Sequence, residues 1–169
     1  LARECGDKDF FIFQDREGDV TTYSYRAFNE LINQTANMFL SQGVERGEHV
    51  AVQMHTCPEF LMCLFGLAKI GAVLVPMNEQ YLQAECEYAL DMCSTRRAVV
   101  EPCYVELYDA IHAGGRLDQG IIVARSEGGK EAMGYPLFSE LVAAEGTELE
   151  VPSDLSPDDP CEILFTSGT

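Results

Sequence analysis

The sequence predicts an α/β fold: a mainly parallel sheet with helices on both faces, preceded by an N-terminal β-hairpin. Three observations predict it. Short runs rich in aliphatic residues recur at 49–54, 72–75, 97–100 and 120–124, continuous rather than alternating, as strands covered on both faces are. Segments of helical spacing lie between them, so strand and helix alternate along most of the chain. Two further short strands, around a charged turn, precede that alternation.

Phe10 to Phe13 and Val20 to Tyr23 flank Asp15-Arg16-Glu17-Gly18-Asp19, a hairpin pattern. Ser24 is a suitable N-cap for a helix in which Phe28, Leu31, Ile32, Thr35, Ala36 and Phe39 recur on one face, and Gly43 follows as a C′ residue would. After the strand His49–Met54, Pro58 suits a first helical position and Glu59 the positive end of the dipole. The helix that follows, Phe60 to Ile70, is apolar almost all round and is expected to be buried on two sides. Gly71 closes it, and Ala72–Val75 is a buried strand ending at Pro76. The alternation continues with helix Gln83–Met92, strand Arg97–Val100, helix Tyr104–Ile111, strand Gly120–Ala124 and a short helix Pro136–Ala143. Six acids (Glu145, Glu148, Glu150, Asp154, Asp158, Asp159) with Pro152, Pro157 and Pro160 read as an exposed linker, before a last buried strand, Ile163–Phe165. Right-handed crossovers place the carboxyl ends of such strands on one edge, where ligands bind in sheets of this kind.

Composition narrows the function. The 169 residues suffice for one buried core. A net charge of -17, with only 11 Lys and Arg, argues against nucleic acid, whose phosphates need clustered cations. No stretch approaches the roughly 20 apolar residues of a membrane span. Seven cysteines, an odd number without any C-x-x-C, are expected as buried free thiols in a reducing cytoplasm. His55, Cys57 and Cys63 match no zinc spacing. The chain opens on Leu1 rather than methionine and breaks off inside a loop, so it is expected to be a piece of something longer.

Few motifs carry chemistry. Gly66 and Gly71 have the spacing of a phosphate-binding P-loop, but the Lys and Ser/Thr that must follow are missing, so close helix packing and a helix cap explain them. The histidines form no constellation: His49 opens a strand, His55 precedes a cap and His112 ends a helix, and structural roles are expected for each. Arg96-Arg97 reads as a solvated pair. Thr166-Ser167-Gly168-Thr169 differs, because it follows an apolar strand at the expected ligand edge. Hydroxyls with a glycine there can cradle oxygen anions.

Three segments in order resemble a known family. Thr22-Tyr23-Ser24-Tyr25-Arg26-Ala27-Phe28-Asn29 resembles the first core motif of the adenylate-forming superfamily, which includes acyl-CoA synthetases. Leu67 to Asn78 resembles the second, and Phe165-Thr166-Ser167-Gly168-Thr169 the first half of the third, the pyrophosphate-binding loop. Pro76-Met77-Asn78 resembles the carboxylate–CoA ligases more than the peptide synthetases. Arg26 to Phe39, with Asn29, Asn33, Thr35, Ala36 and Asn37, then Cys57-Pro58-Glu59-Phe60 and Phe65 to Ala72, is similar to crotonobetaine/carnitine–CoA ligases. The resemblance implies residues 1–169 as the N-terminal portion of the large AMP-binding domain. It implies ATP, Mg2+ and coenzyme A as cosubstrates or cofactors, and a small carboxylate as substrate. Thr166, Ser167, Gly168 and Thr169 would contact the β- and γ-phosphates. It places no catalytic or metal-binding residue within this stretch, so the piece alone is expected to be inactive and prone to self-association. Two alternatives stand beside it: a fatty-acid or aryl-acid CoA ligase, and a stand-alone nucleotide-binding or interaction module.

Overall fold

The computed structural model describes residues 2, 4–126 and 129–166. β1 (Asp9–Gln14) and β2 (Val20–Ser24) form the antiparallel hairpin. Then follow α1 (Tyr25–Ser41), β3 (His49–Gln53), α2 (Pro58–Ile70), β4 (Val73–Pro76), α3 (Gln83–Met92), β5 (Arg97–Val100), α4 (Val105–Ala113), β6 (Gly120–Val123) and α5 (Phe138–Ala143). The larger sheet is four-stranded and parallel, in the order β4-β3-β5-β6.

Local signals set the helix ends. The Ser24 hydroxyl accepts from the Ala27 N–H at 3.2 Å, satisfying one of the donors that α1 leaves open. Pro58 occupies the first turn of α2, and Gly71 ends it with a φ of +75°, a left-handed cap that glycine adopts without strain.

The pleat divides the core. Val50 and Val52 of β3 face Phe28, Phe39, Leu67 and Phe138, from α1, α2 and α5. Ala51, between them, faces the opposite layer, with Leu90 of α3 and Tyr108 and Ile111 of α4. Helices therefore cover both faces, as expected. α1 and α2 approach closely at Gly66, where an added Cβ would stand 3.2 Å from Thr35 Cγ2 and 3.3 Å from the Ala36 nitrogen. Close packing is thus the use of this glycine. α2 is buried against α1 and the sheet, while Phe65 on its outer side remains 37% exposed. No helix among the described residues is long and apolar enough to cross a membrane.

Three expectations need correction. Ile163–Phe165 is no buried strand: a single parallel bridge joins Glu162 to Leu74, and Leu164 is 66% exposed. β4 is the sheet's outer strand, so a segment laid beside it is supported from one side only. Residues 145–159 are largely exposed, as expected of a linker, but they are tied to the domain. Side-chain amides of Asn33, Gln34 and Asn37 on α1 donate to the carbonyls of Thr147, Glu145, Gly146 and Glu148 at 2.7–3.0 Å. Arg46 pairs with Asp154 and Asp159. The acids face water while their backbone is held. Lastly, Arg96 is exposed and paired with Asp118, but Arg97 is buried and donates to the Gln119 carbonyl at 2.9 Å, its Nε 3.7 Å from Glu48. A residue inside a central strand cannot turn both sides to solvent.

Candidate functional site at the carboxyl edge of the sheet

The parallel strands deliver their following residues to one edge: Met54-His55 after β3, Met77-Asn78-Glu79 after β4, Glu101 after β5 and Ala124-Arg125 after β6. The β4 turn is fixed from beneath. Gln53, wholly buried in β3, donates its side-chain amide to the Asn78 carbonyl at 2.7 Å, and the Met77 N–H donates to Val52 O at 2.9 Å. The Asn78 side-chain oxygen accepts from the Gln80 N–H at 2.9 Å, closing an Asx turn. Met77, Asn78, Glu79 and Gln80, with Met54, Thr56 and Phe60, line a cleft of about 360 Å³. A larger cavity of about 480 Å³ lies elsewhere, between the hairpin, α1 and α2, walled by Phe10, Tyr25, Phe28 and Phe65. Its one charged group, Lys69, is already engaged, donating to Asn29 and to Asn33 at 2.7 Å, and the sheet edge is where ligands bind in folds of this kind, so the cleft there is the better candidate.

The final segment leads to the same edge. Leu74 donates to Cys161 O and accepts from the Ile163 N–H, at 3.0 and 2.9 Å, and Ile163 and Phe165 pack on the layer that contains Val75 and Met77. Because that bridge is parallel, the chain runs in the direction of β4 towards Thr166, which is exposed. Ser167, Gly168 and Thr169, the other expected phosphate contacts, lie outside the described residues.

The edge also gathers residues that motif reasoning passed over. Glu101, 6% exposed, accepts on Oε2 from the His55 backbone N–H at 3.0 Å and lies 2.5 Å from His55 Nδ1. Its Oε1 accepts from Arg125 Nη1 at 2.9 Å. His55 Nε2 stands 3.5 Å from Glu79, and the imidazole stacks on Tyr104 with ring centroids 6.1 Å apart. Cys103 completes the group: one donor atom each of His55, Glu101 and Cys103 lie within 4.8 Å of one another. Burial and the neighbouring Glu101 charge push the Cys103 thiol up. Each of His55 and Glu101 closely follows a buried strand, which is the signal the sequence carried. Their meeting required β3 and β5 to be neighbours. The other histidines hold backbone: His49 Nδ1 lies 2.7 Å from Cys93 O, and His112 Nδ1 3.1 Å from Leu117 O. All seven cysteines are free, as expected, but only Cys57, Cys63, Cys86 and Cys93 are buried; Cys103 and Cys161, in a turn and in the final segment, are exposed. Burial pushes Cys57 up to about 12, an inert thiol.

The family model for AMP-binding enzymes matches residues 1–169. The chain belongs to the AMP-binding enzyme family. It is 41% identical over all 169 residues to the crotonobetaine/carnitine–CoA ligase of Salmonella paratyphi A, and 39% identical to that of Salmonella typhimurium. The chain spans about a third of the length of these curated relatives, 33% in each case. Among solved structures, the anthranilate CoA ligase AuaEII in complex with anthranoyl-AMP matches 88% of the chain, and 28% of its own, at a TM-score of 0.79 and 26% identity. The N-terminal domain of FACL13 from Mycobacterium tuberculosis matches 99% of the chain and 39% of its own at a TM-score of 0.82, and with 23% identity shows the shared fold. Family membership, expected from the three motif segments, and the α/β fold, expected from the alternation of strand and helix, are therefore both met.

Proposed function

We propose that residues 1–169 are the N-terminal portion of the large domain of an ATP-dependent carboxylate–CoA ligase, with a carnitine- or crotonobetaine-type acid as substrate. The observation that carries this reading is the 41% identity along the whole chain to a crotonobetaine/carnitine–CoA ligase. The parallel course of the last segment towards the carboxyl edge supports it.

In this reading the substrate carboxylate attacks the α-phosphorus of ATP. The bond to pyrophosphate breaks, and an acyl-adenylate forms. Coenzyme A thiolate then attacks the acyl carbon, the acyl–phosphate oxygen bond breaks, and AMP leaves with that oxygen. Negative charge grows on pyrophosphate in the first step, and the hydroxyls of Thr166, Ser167 and Thr169, with the backbone at Gly168, are the donors to the β- and γ-phosphates. Gln53, acting through Asn78, fixes the floor of the adjoining cleft. Mg2+ would offset phosphate charge when bound. The metal-ligating types that converge here, His55, Glu101 and Cys103, include an imidazole and a thiol, which do not suit so hard an ion.

The remaining machinery belongs to the parent enzyme, and the chain alone is inactive on this reading. We place the parent in the cytoplasm, where ATP, coenzyme A and reduced thiols coexist. The one-sided support of Leu164 favours self-association of the isolated chain, which light scattering above the monomer mass would register. The deciding experiment is carboxylate-dependent ATP–pyrophosphate exchange by the full-length parent. Exchange with carnitine, crotonobetaine or γ-butyrobetaine is expected. Exchange only with fatty or aryl acids would remove the substrate assignment, and none with any acid would remove adenylation itself.

A further inference from the structure

We propose that His55, Glu101 and Cys103 form a binding site for a single thiophilic divalent ion, of which zinc best matches the donors. The three come from the carboxyl ends of neighbouring strands: His55 two residues beyond β3, Glu101 directly after β5, and Cys103 in the 3-10 turn Pro102–Tyr104. A tetrahedral ion about 2.0–2.3 Å from nitrogen, oxygen and sulfur ligands needs those atoms roughly 3–4 Å apart. The donors already lie within 4.8 Å of one another. Cys103 is exposed, so its side chain can rotate inward, while His55 Nδ1 and Glu101 Oε2, 2.5 Å apart without the ion, must separate by about 1 Å to admit it.

The outer groups are placed as metal sites place them. Arg125 holds Glu101 Oε1, leaving Oε2 directed at His55. Glu79 stands beside His55 Nε2, so when Nδ1 binds a metal, an Nε2–H faces a carboxylate, the arrangement that orients metal-bound imidazoles. The chemistry balances without a redox step. The ion takes the place of the hydrogen between His55 Nδ1 and Glu101 Oε2, the imidazole carrying its proton on Nε2 instead. The Cys103 S–H bond breaks, its proton passes to solvent, and a metal–sulfur bond forms. Three protein ligands leave a fourth position for water. Thiolate and imidazole together select zinc over magnesium.

The simpler account treats Glu101 as a carboxylate neutralised by Arg125 and capped by His55, and gives Cys103 no role. Cobalt(II) titration separates the two, on the 169-residue chain and on its full-length parent, in the absence of chelators. The expected result is a thiolate-to-cobalt charge-transfer band that saturates at one ion per chain and is erased by zinc. Cys103→Ser should abolish the band and weaken binding beyond the roughly 10- to 100-fold that loss of an outer partner brings, while Glu79→Gln should fall within that range. Cys161→Ser, at the other exposed thiol, should leave the titration unchanged. No such band in either protein, or a band that survives Cys103→Ser, would overturn the site.

Discussion

Gln53 donates its side-chain amide to the backbone carbonyl of Asn78 across 2.7 Å, from a position in β3 without solvent exposure. A buried amide in a strand otherwise apolar at its centre couples the sheet to the turn that lines the cleft. Its oxygen is 3.7 Å from the Cys86 thiol on α3, so both ends of the amide are engaged. Gln53→Met retains much of the volume but leaves the Asn78 carbonyl without this donor. Stability should fall by about 1–3 kcal/mol in urea denaturation. In the full-length parent the ATP–pyrophosphate exchange should weaken as well, because the floor of the cleft moves.

Gly66 tests the contact between α1 and α2. Helix propensity favours alanine over glycine by about 1 kcal/mol, but the added Cβ would press on Thr35 Cγ2 and the Ala36 nitrogen at 3.2 and 3.3 Å. Backbone on one side cannot yield as a side-chain tip does. Gly66→Val should lower stability by about 1–3 kcal/mol, and Gly66→Ala by much less, as the two effects offset. Thermal melts of both variants check the order; equal stability of valine and glycine would refute the close-packing account.

Acid should unfold the chain through particular carboxylates. A side-chain bond from Arg116 holds Asp91 below its ordinary 3.8, and Arg96 does the same for Asp118. For Asp159 the Ser156 N–H is the main cause, with Arg46 adding to it. A carboxylate whose folded value is depressed contributes stability that is present above the ordinary value and lost as pH falls through the folded one. The loss from these three should therefore set in near pH 4 and continue downward. The net charge of -17 works the other way, since protonating other acids first relieves repulsion. Melting temperature should rise slightly from neutral pH, then drop. Replacing all three by Asn should shallow that drop, and so should high salt, because the pairs are exposed.

The row of amides on α1 should govern the order of the acidic segment. Asn37 alone serves the carbonyls of Gly146 and Glu148, both at 2.8 Å. Asn37→Asp removes both donors and sets a charge against those oxygens. Hydrogen exchange across 145–150 should accelerate, with α2 and the sheet unaffected. Unchanged exchange would mean that the Arg46 ion pairs with Asp154 and Asp159 suffice to hold the segment.

The proposed phosphate loop has its own signature. In the full-length parent, Thr166→Ala or Ser167→Ala should reduce ATP–pyrophosphate exchange by about 10²- to 10³-fold, the scale of losing one aligned donor to a developing anion. Thr166 is exposed, so its melting temperature should not move. A parallel loss of stability would assign it to the framework instead.

Element order was legible because strand and helix signals here agree with the tertiary environment. Gln83–Met92 and Arg97–Val100 coincide with α3 and β5 because their ends are marked by polar residues and their middles are covered. The last strand misled because Ile163-Leu164-Phe165 has the composition of a buried strand, whereas burial depends on lying outside β4. Arg97 misled in the opposite sense, as a charge that a central strand carries inside. The His55–Glu101 pairing needed strand order, which apolar periodicity does not encode: β5 enters beside β3 although β4 separates them in sequence. The acidic segment read as free because acids predict solvent for side chains and say nothing of where the carbonyls go. Asn33, Gln34 and Asn37 were visible, but the partners they serve lie more than a hundred residues away.

That distance shapes how the chain is made. The bonds from α1 to residues 145–148, and from Arg46 to Asp154 and Asp159, span 108 to 114 positions. Synthesis proceeds at roughly 5–20 residues per second, so α1 leaves the ribosome several seconds before its polar face meets the backbone it will hold. During that interval the first helices can pack on one another, but the strap across them does not yet exist. Completion is a late, non-local event, of the kind that slows folding in chains of high contact order. Whatever binds the nascent chain in those seconds meets α1 with its amides facing water.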